Sequence, residues 1–260
     1  MRVYVTTSDW YNPILPCFAY LFNRFWSPQQ QVTVLCYTEP DCELPSNFSL
    51  ESLGHPSDFG NDVTEWAPGR RGSDYGESYP TPKWSDSMKC WAGRLSDPHF
   101  VLMQIDYFIH QPVNVREIQI LEKYVGVDGV VKIDLSADRF HEPHTLYATE
   151  DGMKIIESDR QARYRSSLQA AIWTRDYFVS VLKPNRSPWE FELLGMREQM
   201  NNGRRILGVA RADFGPVPYL NVYERGKVRW RELRLLDHGI RTEMFAKGWI
   251  GPHWNGWVEP

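Results

Sequence analysis

Asp106 closes the apolar run Phe100-Val-Leu-Met-Gln-Ile-Asp106. The run suits a central strand covered on both faces. The carboxyl ends of such strands are where open α/β sheets hold their ligands. A carboxylate there can bind a metal, a sugar hydroxyl or a ribose. A second candidate is Ser187-Pro-Trp-Glu-Phe-Glu192. Ser187 and Glu190 have capping-box spacing, and Pro188 falls at the first helical position. That gives Glu190 a structural task. Glu192 lacks one, and it sits in the first turns of a helix, where an ionised carboxylate is favoured. The alternative is a solvated surface glutamate.

A third stretch, Ser166-Ser-Leu-Gln-Ala-Ala-Ile-Trp173, leads small and polar side chains into an apolar segment. It reads as a buried strand entering a helix at Thr174, or as a pocket wall formed by Gln169 and Trp173. His141-Glu-Pro-His144 has two imidazoles, but Pro143 prevents their meeting on one helical face. The chain has no G-x-G-x-x-G, no G-K-[ST] and no G-x-S-x-G. Dinucleotide binding, P-loop chemistry and α/β-hydrolase chemistry therefore lack their signatures.

These residues need a frame. A chain of 260 residues can bury a substantial core as one large domain. Residues 2–6 read as a strand, 6–9 as a polar loop, and a helix follows from about Pro16 with Leu15, Phe18, Ala19, Phe22 and Phe25 on one face. Val32–Tyr37 is a second strand, so the opening is β-α-β with parallel pairing. Phe48–Leu53 alternates like a third strand. Residues 54–80 read as a long loop. A helix starts at Thr81-Pro82 and runs through Met88, Trp91 and Leu95. Asn114 caps a helix with Val115, Ile118, Leu121 and Val125 inward. Val130–Leu135 is another strand. Beyond residue 136 the alternation gives way to strands near 145–148, 153–157 and 206–210 and helices near 174–182 and 188–201. Tyr219–Tyr223 and Lys227–Trp230 read as a hairpin, and the tail from Gly248 as a segment packed over the body.

A formal net charge of −4 argues against coating nucleic acid by charge alone. Arg204, Arg205, Arg229, Arg231 and Arg234 could still line a local basic groove. Cys17, Cys36, Cys42 and Cys90 have no C-x-x-C spacing, and no signal peptide or bilayer-length apolar run is visible, so free thiols in the cytoplasm are expected.

In order along the chain, the pieces resemble a glycosyltransferase of the GT-A fold, the nucleotide-diphospho-sugar transferase type. The resemblance rests on Thr6-Thr7-Ser8-Asp9, Tyr20-Leu-Phe-Asn-Arg-Phe-Trp26, Trp84-Ser-Asp86, Ile105-Asp-Tyr-Phe108, Ser167-Leu-Gln-Ala-Ala-Ile-Trp173 and Trp189-Glu-Phe-Glu192. It implies an α/β fold with a mixed, mostly parallel central sheet flanked by helices. Residues 1–135 would be the donor half, and 136–260 the acceptor half of the same domain. It implies a hexosyl- or pentosyltransferase using a nucleotide-sugar, a UDP-sugar first of all, with a glycan or a modified DNA base as acceptor. Thr6, Thr7, Ser8, Asp9, Trp84 and Asp106 would serve the donor, Gln169, Trp173 and Trp189 the sugar pocket, and Glu192 would be the base of an inverting transfer. The family's paired aspartates, which hold Mg²⁺ or Mn²⁺, are incomplete: Ile105 stands at the first acidic position of D-D-Y-F, and Asp106 is left as the metal ligand. The alternative reading is a nonenzymatic nucleotide- or carbohydrate-binding protein. A glycosidase built on Asp106 and Glu192 is a third.

Overall fold

The structure, a computed structural model, describes residues 1–9, 11–54, 84–200, 202–224 and 227–251. The strongest alternation lies at its centre. In the strand His99–Gln104, Val101 and Met103 enter one core and Phe100 and Leu102 the other, because successive side chains leave a strand on opposite faces. Each side chain buried this way contributes about 1.5–3 kcal/mol.

In chain order the elements are β1 (Val3–Thr6), α1 (Leu15–Phe25), β2 (Val32–Cys36), β3 (Phe48–Ser52), α2 (Trp84–Arg94), β4 (His99–Gln104), β5 (Tyr107–Ile109), α3 (Val115–Glu122), β6 (Val130–Asp134), β7 (His144–Glu150), β8 (Met153–Ser158), β9 (Ala171–Thr174), α4 (Arg175–Val181), α5 (Pro188–Gln199), β10 (Arg205–Val209), β11 (Tyr219–Asn221), β12 (Tyr223–Glu224), β13 (Lys227–Val228), α6 (Trp230–Leu233) and α7 (His238–Ala246). The main sheet has nine strands in the order β3-β2-β1-β4-β9-β6-β10-β8-β7. All of them except β8 and β9 point the same way. This is the mixed, mostly parallel, Rossmann-like sheet flanked by helices that the sequence implied. α1 packs on one face, and α2, α4 and α5 bury Trp91, Phe178 and Phe191 on the other.

The placement of β9 decides where chemistry can occur. It runs antiparallel between β4 and β6, with Ala171 opposite both Leu102 and Asp134. An antiparallel strand begins where its neighbours end. The segment 165–170 that enters β9 therefore lies at the carboxyl edge of β4 and β6. Residues from both sequence halves interleave in this one sheet.

Several expectations change. The apolar run does not continue unbroken through Asp106: β4 ends at Gln104, Ile105 and Asp106 form a turn, and β5 is a separate strand. Tyr219–Asn221 pairs with β5 rather than with Lys227–Trp230, which leaves a hairpin of two residues per strand. Pairing with β5 buries Leu220 beside Phe108, a larger apolar gain than the local turn offers. Val115 is 40% exposed, and Ile120 takes the inward position beside Ile118 and Leu121. Asn114 does cap α3, accepting from the Glu117 amide at 3.1 Å. The five arginines do not form one groove. Arg204 and Arg205 lie at the amino-terminal end of β10, whereas Arg229, Arg231 and Arg234 surround α6, which packs on β11. The long loop over 54–80, apart from Gly54, falls outside the described residues, as do the Thr81-Pro82 helix start and the tail beyond Gly251.

Candidate functional site

Four segments meet at the carboxyl edge: the loop after β1, the turn after β4, the residues after β6, and the entry to β9 with α5 above it. The β1 loop is anchored at both ends. Thr6 Oγ1 donates to Gln104 Oε1 at 2.6 Å, which joins the ends of β1 and β4. Thr7 Oγ1 donates to Asn12 Oδ1 at 3.2 Å. Asp9 accepts from the Thr38 amide at 3.2 Å and its hydroxyl at 3.0 Å. The Ser8 carbonyl accepts from the amides of Tyr11 and Asn12, at 2.7 and 3.2 Å. Thr6–Asp9 is thus a braced rim between the ends of β1 and β2.

Asp106 sits half-buried in the turn that follows β4. Burial pushes its carboxyl from 3.8 up to about 7, and the negative charges of Glu224 and Glu192 add to the rise. A hydrogen bond from its own backbone amide opposes it. Beside it the Tyr107 and Tyr219 rings stack with centroids 4.2 Å apart. Burial holds both phenols well above their ordinary range, and Tyr107 lies in the field of Asp106 and Glu192.

Glu192 arrives from the other side. α5 starts at a complete capping box: Ser187 Oγ accepts from the Glu190 amide at 3.2 Å, and Glu190 Oε2 accepts from the Ser187 amide at 2.9 Å. The box sets the helix start, so Glu192 lies one turn further in. Its Oε1 accepts from the Leu168 amide at 2.6 Å. Burial pushes the carboxyl up, while the Leu168 bond and the charges of Lys132 and Arg139 pull it down; the balance lies above its usual range.

Beneath this lies a buried ion cluster. Lys132 Nζ is 2.7 Å from Asp134 Oδ1, and Arg139 Nε pairs with Asp134 Oδ2. All three residues are at most 1% exposed. Lys132 Nζ also donates to the Ser167 carbonyl at 2.7 Å and the Arg165 carbonyl at 3.4 Å, and lies 4.8 Å from the Trp173 ring centroid. Burial lowers the Lys132 pKa to about 8, against the pull of Asp134. Burial would raise the Asp134 carboxyl, but Arg139 and Lys132 outweigh it and hold it low. On the opposite flank Ser136 Oγ lies 2.7 Å from Asp138 Oδ2 and 3.2 Å from Gln169 Oε1.

The edge therefore brings together Thr6, Thr7, Ser8, Asp9, Asp106, Gln169 and Glu192. It does not bring all three tryptophans into one pocket. Trp173 is fully buried within β9, beneath Lys132, among Tyr177 and Phe178. Trp84 is buried against Phe191. Trp189 is 52% exposed on the first turn of α5. Sequence reasoning passed over Lys132, Asp134, Arg139, Ser136 and the Tyr107–Tyr219 pair. A signal existed: Lys132-Ile-Asp134 places two charges inside an otherwise apolar strand, and charges there must be paired or functional.

As a cation site the edge supplies one strand-end carboxylate and not a ligand set. Among the described residues no three His, Cys, Asp or Glu side chains converge on a common point, and the Gln104 side chain that precedes Asp106 is engaged with Thr6. These residues do not by themselves fit a divalent ion.

No family model and no curated protein sequence matches the chain. Several solved structures align over most of it. One is S. aureus TarS 1–349, at 9% identity and TM-score 0.47, covering 82% of this chain and 59% of that one. Another is the bifunctional IspDF from Campylobacter jejuni, at 10% identity and TM-score 0.39, covering 85% and 52%. A third is the galactosyltransferase LgtC in complex with donor and acceptor sugar analogues, at 8% identity and TM-score 0.37, covering 80% and 73%. The chain spans less than two thirds of the TarS and IspDF chains. Among the described residues no helix is long and apolar enough to cross a membrane.

Proposed function

We propose that this chain is a glycosyltransferase that moves a sugar from a nucleotide-sugar, a UDP-sugar first, to an acceptor hydroxyl with inversion. The observation that carries the reading is the pair Asp106 and Glu192. The two carboxylates come from opposite sides of the sheet's carboxyl edge, and the Glu192 charge adds to the upward shift of Asp106. Such an edge is the ligand position of open α/β sheets.

In this reading residues 1–135 receive the donor. The braced Thr6–Asp9 rim takes the nucleoside, and Asp106 accepts from the ribose hydroxyls. The half 136–260 receives the acceptor. Glu192 removes the proton of the acceptor hydroxyl as its oxygen bonds to the anomeric carbon. The bond from that carbon to the nucleoside diphosphate breaks, and the leaving group keeps the electron pair. A carboxylate whose pKa is raised by burial suits a general base better than a fully solvated one. Exposed Trp189, one turn before Glu192, would flank the acceptor, and Gln169 would meet its hydroxyls.

Of the two acceptors the sequence left open, the edge favours a saccharide. Exposed Trp189 beside Glu192 offers a saccharide a ring to stack on, and a net charge of −4 gives no general attraction for a phosphodiester backbone. The four unpaired thiols fit a reducing cytosol.

The test is thermal unfolding against a panel of nucleoside diphosphates and nucleotide-sugars, with and without Mn²⁺. A ligand at 100 times its Kd adds about 2.7 kcal/mol, which is a shift of several degrees for a chain of this size. A shift with one nucleotide and transfer from its sugar ester support the reading. Binding without turnover under any metal condition would leave a nonenzymatic binding protein, and no shift with any nucleotide would remove the donor site.

A further inference from the structure

A lysine inside a central strand, out of contact with water, needs an explanation beyond stability. Lys132 is 0% exposed in β6. Moving an ammonium this far from water is costly, and hydrophobic replacements of buried ion pairs are often neutral or stabilising. Arg139 takes Asp134 Oδ2 and Lys132 holds Oδ1 at 2.7 Å, yet the ammonium also donates to two backbone carbonyls that Asp134 does not involve. The cluster holds two cations and one anion. Its remaining positive charge faces Glu192, the nearby carboxylate pulled down by both Lys132 and Arg139.

The hydrogen bonds point the same way. Lys132 Nζ donates to the carbonyls of Ser167 and Arg165. The next residue in that segment, Leu168, gives its amide to Glu192 Oε1 at 2.6 Å. The Ser167 carbonyl and the Leu168 amide belong to one peptide unit, which is rigid and planar. Pulling the carbonyl down toward Lys132 aims the N–H up toward Glu192. One peptide plane thus links a buried cation to the surface carboxylate. We propose that Lys132 is the positioning residue for Glu192: through the Ser167–Leu168 peptide it orients the carboxylate, and through its charge it favours the ionised form.

The groups facing Glu192 are Lys132 and Arg139 from below and Asp106 and Tyr107 from across the edge. Removing the Lys132 charge leaves Arg139 to answer both Asp134 and Glu192. The Glu192 carboxyl should then titrate at higher pH. The inference extends the base reading of Glu192 to the residue that serves it, yet its geometric core is measurable without any substrate.

The experiment uses the full chain with ¹³C-labelled glutamate and ¹⁵N-labelled leucine. The Glu192 signal is assigned by its loss in Glu192→Gln. Its carboxyl shift and the Leu168 amide are followed with pH in the wild type, Lys132→Met and Lys132→Gln. Lys132→Met removes both charge and donor, and is expected to move the Glu192 titration upward and expose the Leu168 amide to exchange. Lys132→Gln keeps a donor for Ser167, and is expected to move the titration upward while sparing much of the amide protection. An unchanged Glu192 titration in either folded variant overturns the proposal. Should Lys132→Met not fold, the glutamine variant decides. Should neither fold, the wild type decides: with the Lys132 ammonium titration followed by ¹⁵N-labelled lysine, the Leu168 amide must respond as that proton is lost, and silence through that titration overturns it. With a sugar donor in hand, the acid limb of kcat/KM should follow the Glu192 titration in the variants, with nucleoside diphosphate binding unchanged. If Glu192→Gln retains full transfer, the base reading fails, and the Lys132 coupling is judged by the spectra alone.

Discussion

Glu192 Oε1 accepts the Leu168 amide at 2.6 Å, so a helix-borne carboxylate is tied to the segment that feeds the antiparallel strand β9. Neither residue could hold this geometry alone. The capping box sets where α5 begins, and β9 sets where the Leu168 peptide lies. Glu192 therefore has a defined orientation although it is only partly buried.

Glu192→Gln should lower sugar transfer by about 10²–10⁴-fold, the usual worth of a positioned base. The amide keeps an oxygen for the Leu168 bond, so the fold and the nucleotide-induced thermal shift should persist. Rates and melting curves on the same preparation check this. Equal loss of turnover and nucleotide binding would count against a base.

Asp106 should make stability depend on pH in an unusual direction. Folding raises its pKa from 3.8 to about 7. Between about pH 4 and pH 7 the folded chain keeps a proton that the unfolded chain has released. The Asp106 contribution to stability therefore falls as pH rises through that window and is level above it. Asp106→Asn should flatten this component and leave the chain more stable at neutral pH, by on the order of a few kcal/mol at most. Urea unfolding of both proteins from pH 4.5 to 8 in a chelating buffer measures the difference. Parallel curves would mean that Asp106 is better hydrated than its surroundings indicate.

Ser187→Ala should cost about 0.5–2 kcal/mol through loss of the N-cap. Because that cap sets the register of Glu192, turnover should fall further than nucleotide affinity. Denaturant midpoints and steady-state kinetics together separate the two effects. Full activity in the alanine variant would show that the Leu168 tether alone is enough to place Glu192.

Gly215→Ala tests the floor beneath Ser136. A Cβ at residue 215 would run into the Leu135 carbonyl oxygen and the Ser136 backbone. Backbone cannot swing aside as a flexible side chain can. The substitution should destabilise by about 1–3 kcal/mol or more and disturb the Ser136 contacts with Asp138 and Gln169. Gly126→Ala makes a useful comparison: its Cβ meets nothing within 4 Å, and its cost should come from the positive φ of 81°. Thermal melts of both variants, with amide spectra of the edge, distinguish a local clash from general loss of stability.

The elements themselves were legible in the chain because their causes are local. Alternation in Phe100–Met103, the helical face of Leu15, Phe18, Ala19 and Phe22, and the Ser187–Glu190 box are all written within a few residues. Asp106 and Glu192 could be singled out for the same reason: one ends an apolar run, and the other follows a capping box without a structural task. What sequence could not carry was partnership across distance. Tyr219 lies four residues from Tyr223 yet pairs with β5, because burial of Leu220 against Phe108 outweighs a short turn. Of the arginines that look clustered in the chain, Arg204 and Arg205 lie at the start of β10 and Arg229, Arg231 and Arg234 around α6. Lys132 looked like one more strand residue, because its meaning depends on Asp134, Arg139 and a peptide 35 residues away. Those contacts exist because β9 inserts antiparallel between β4 and β6, bringing the entry of one strand to the ends of two others. Local pattern determined which residues could do chemistry, and strand order decided which of them meet.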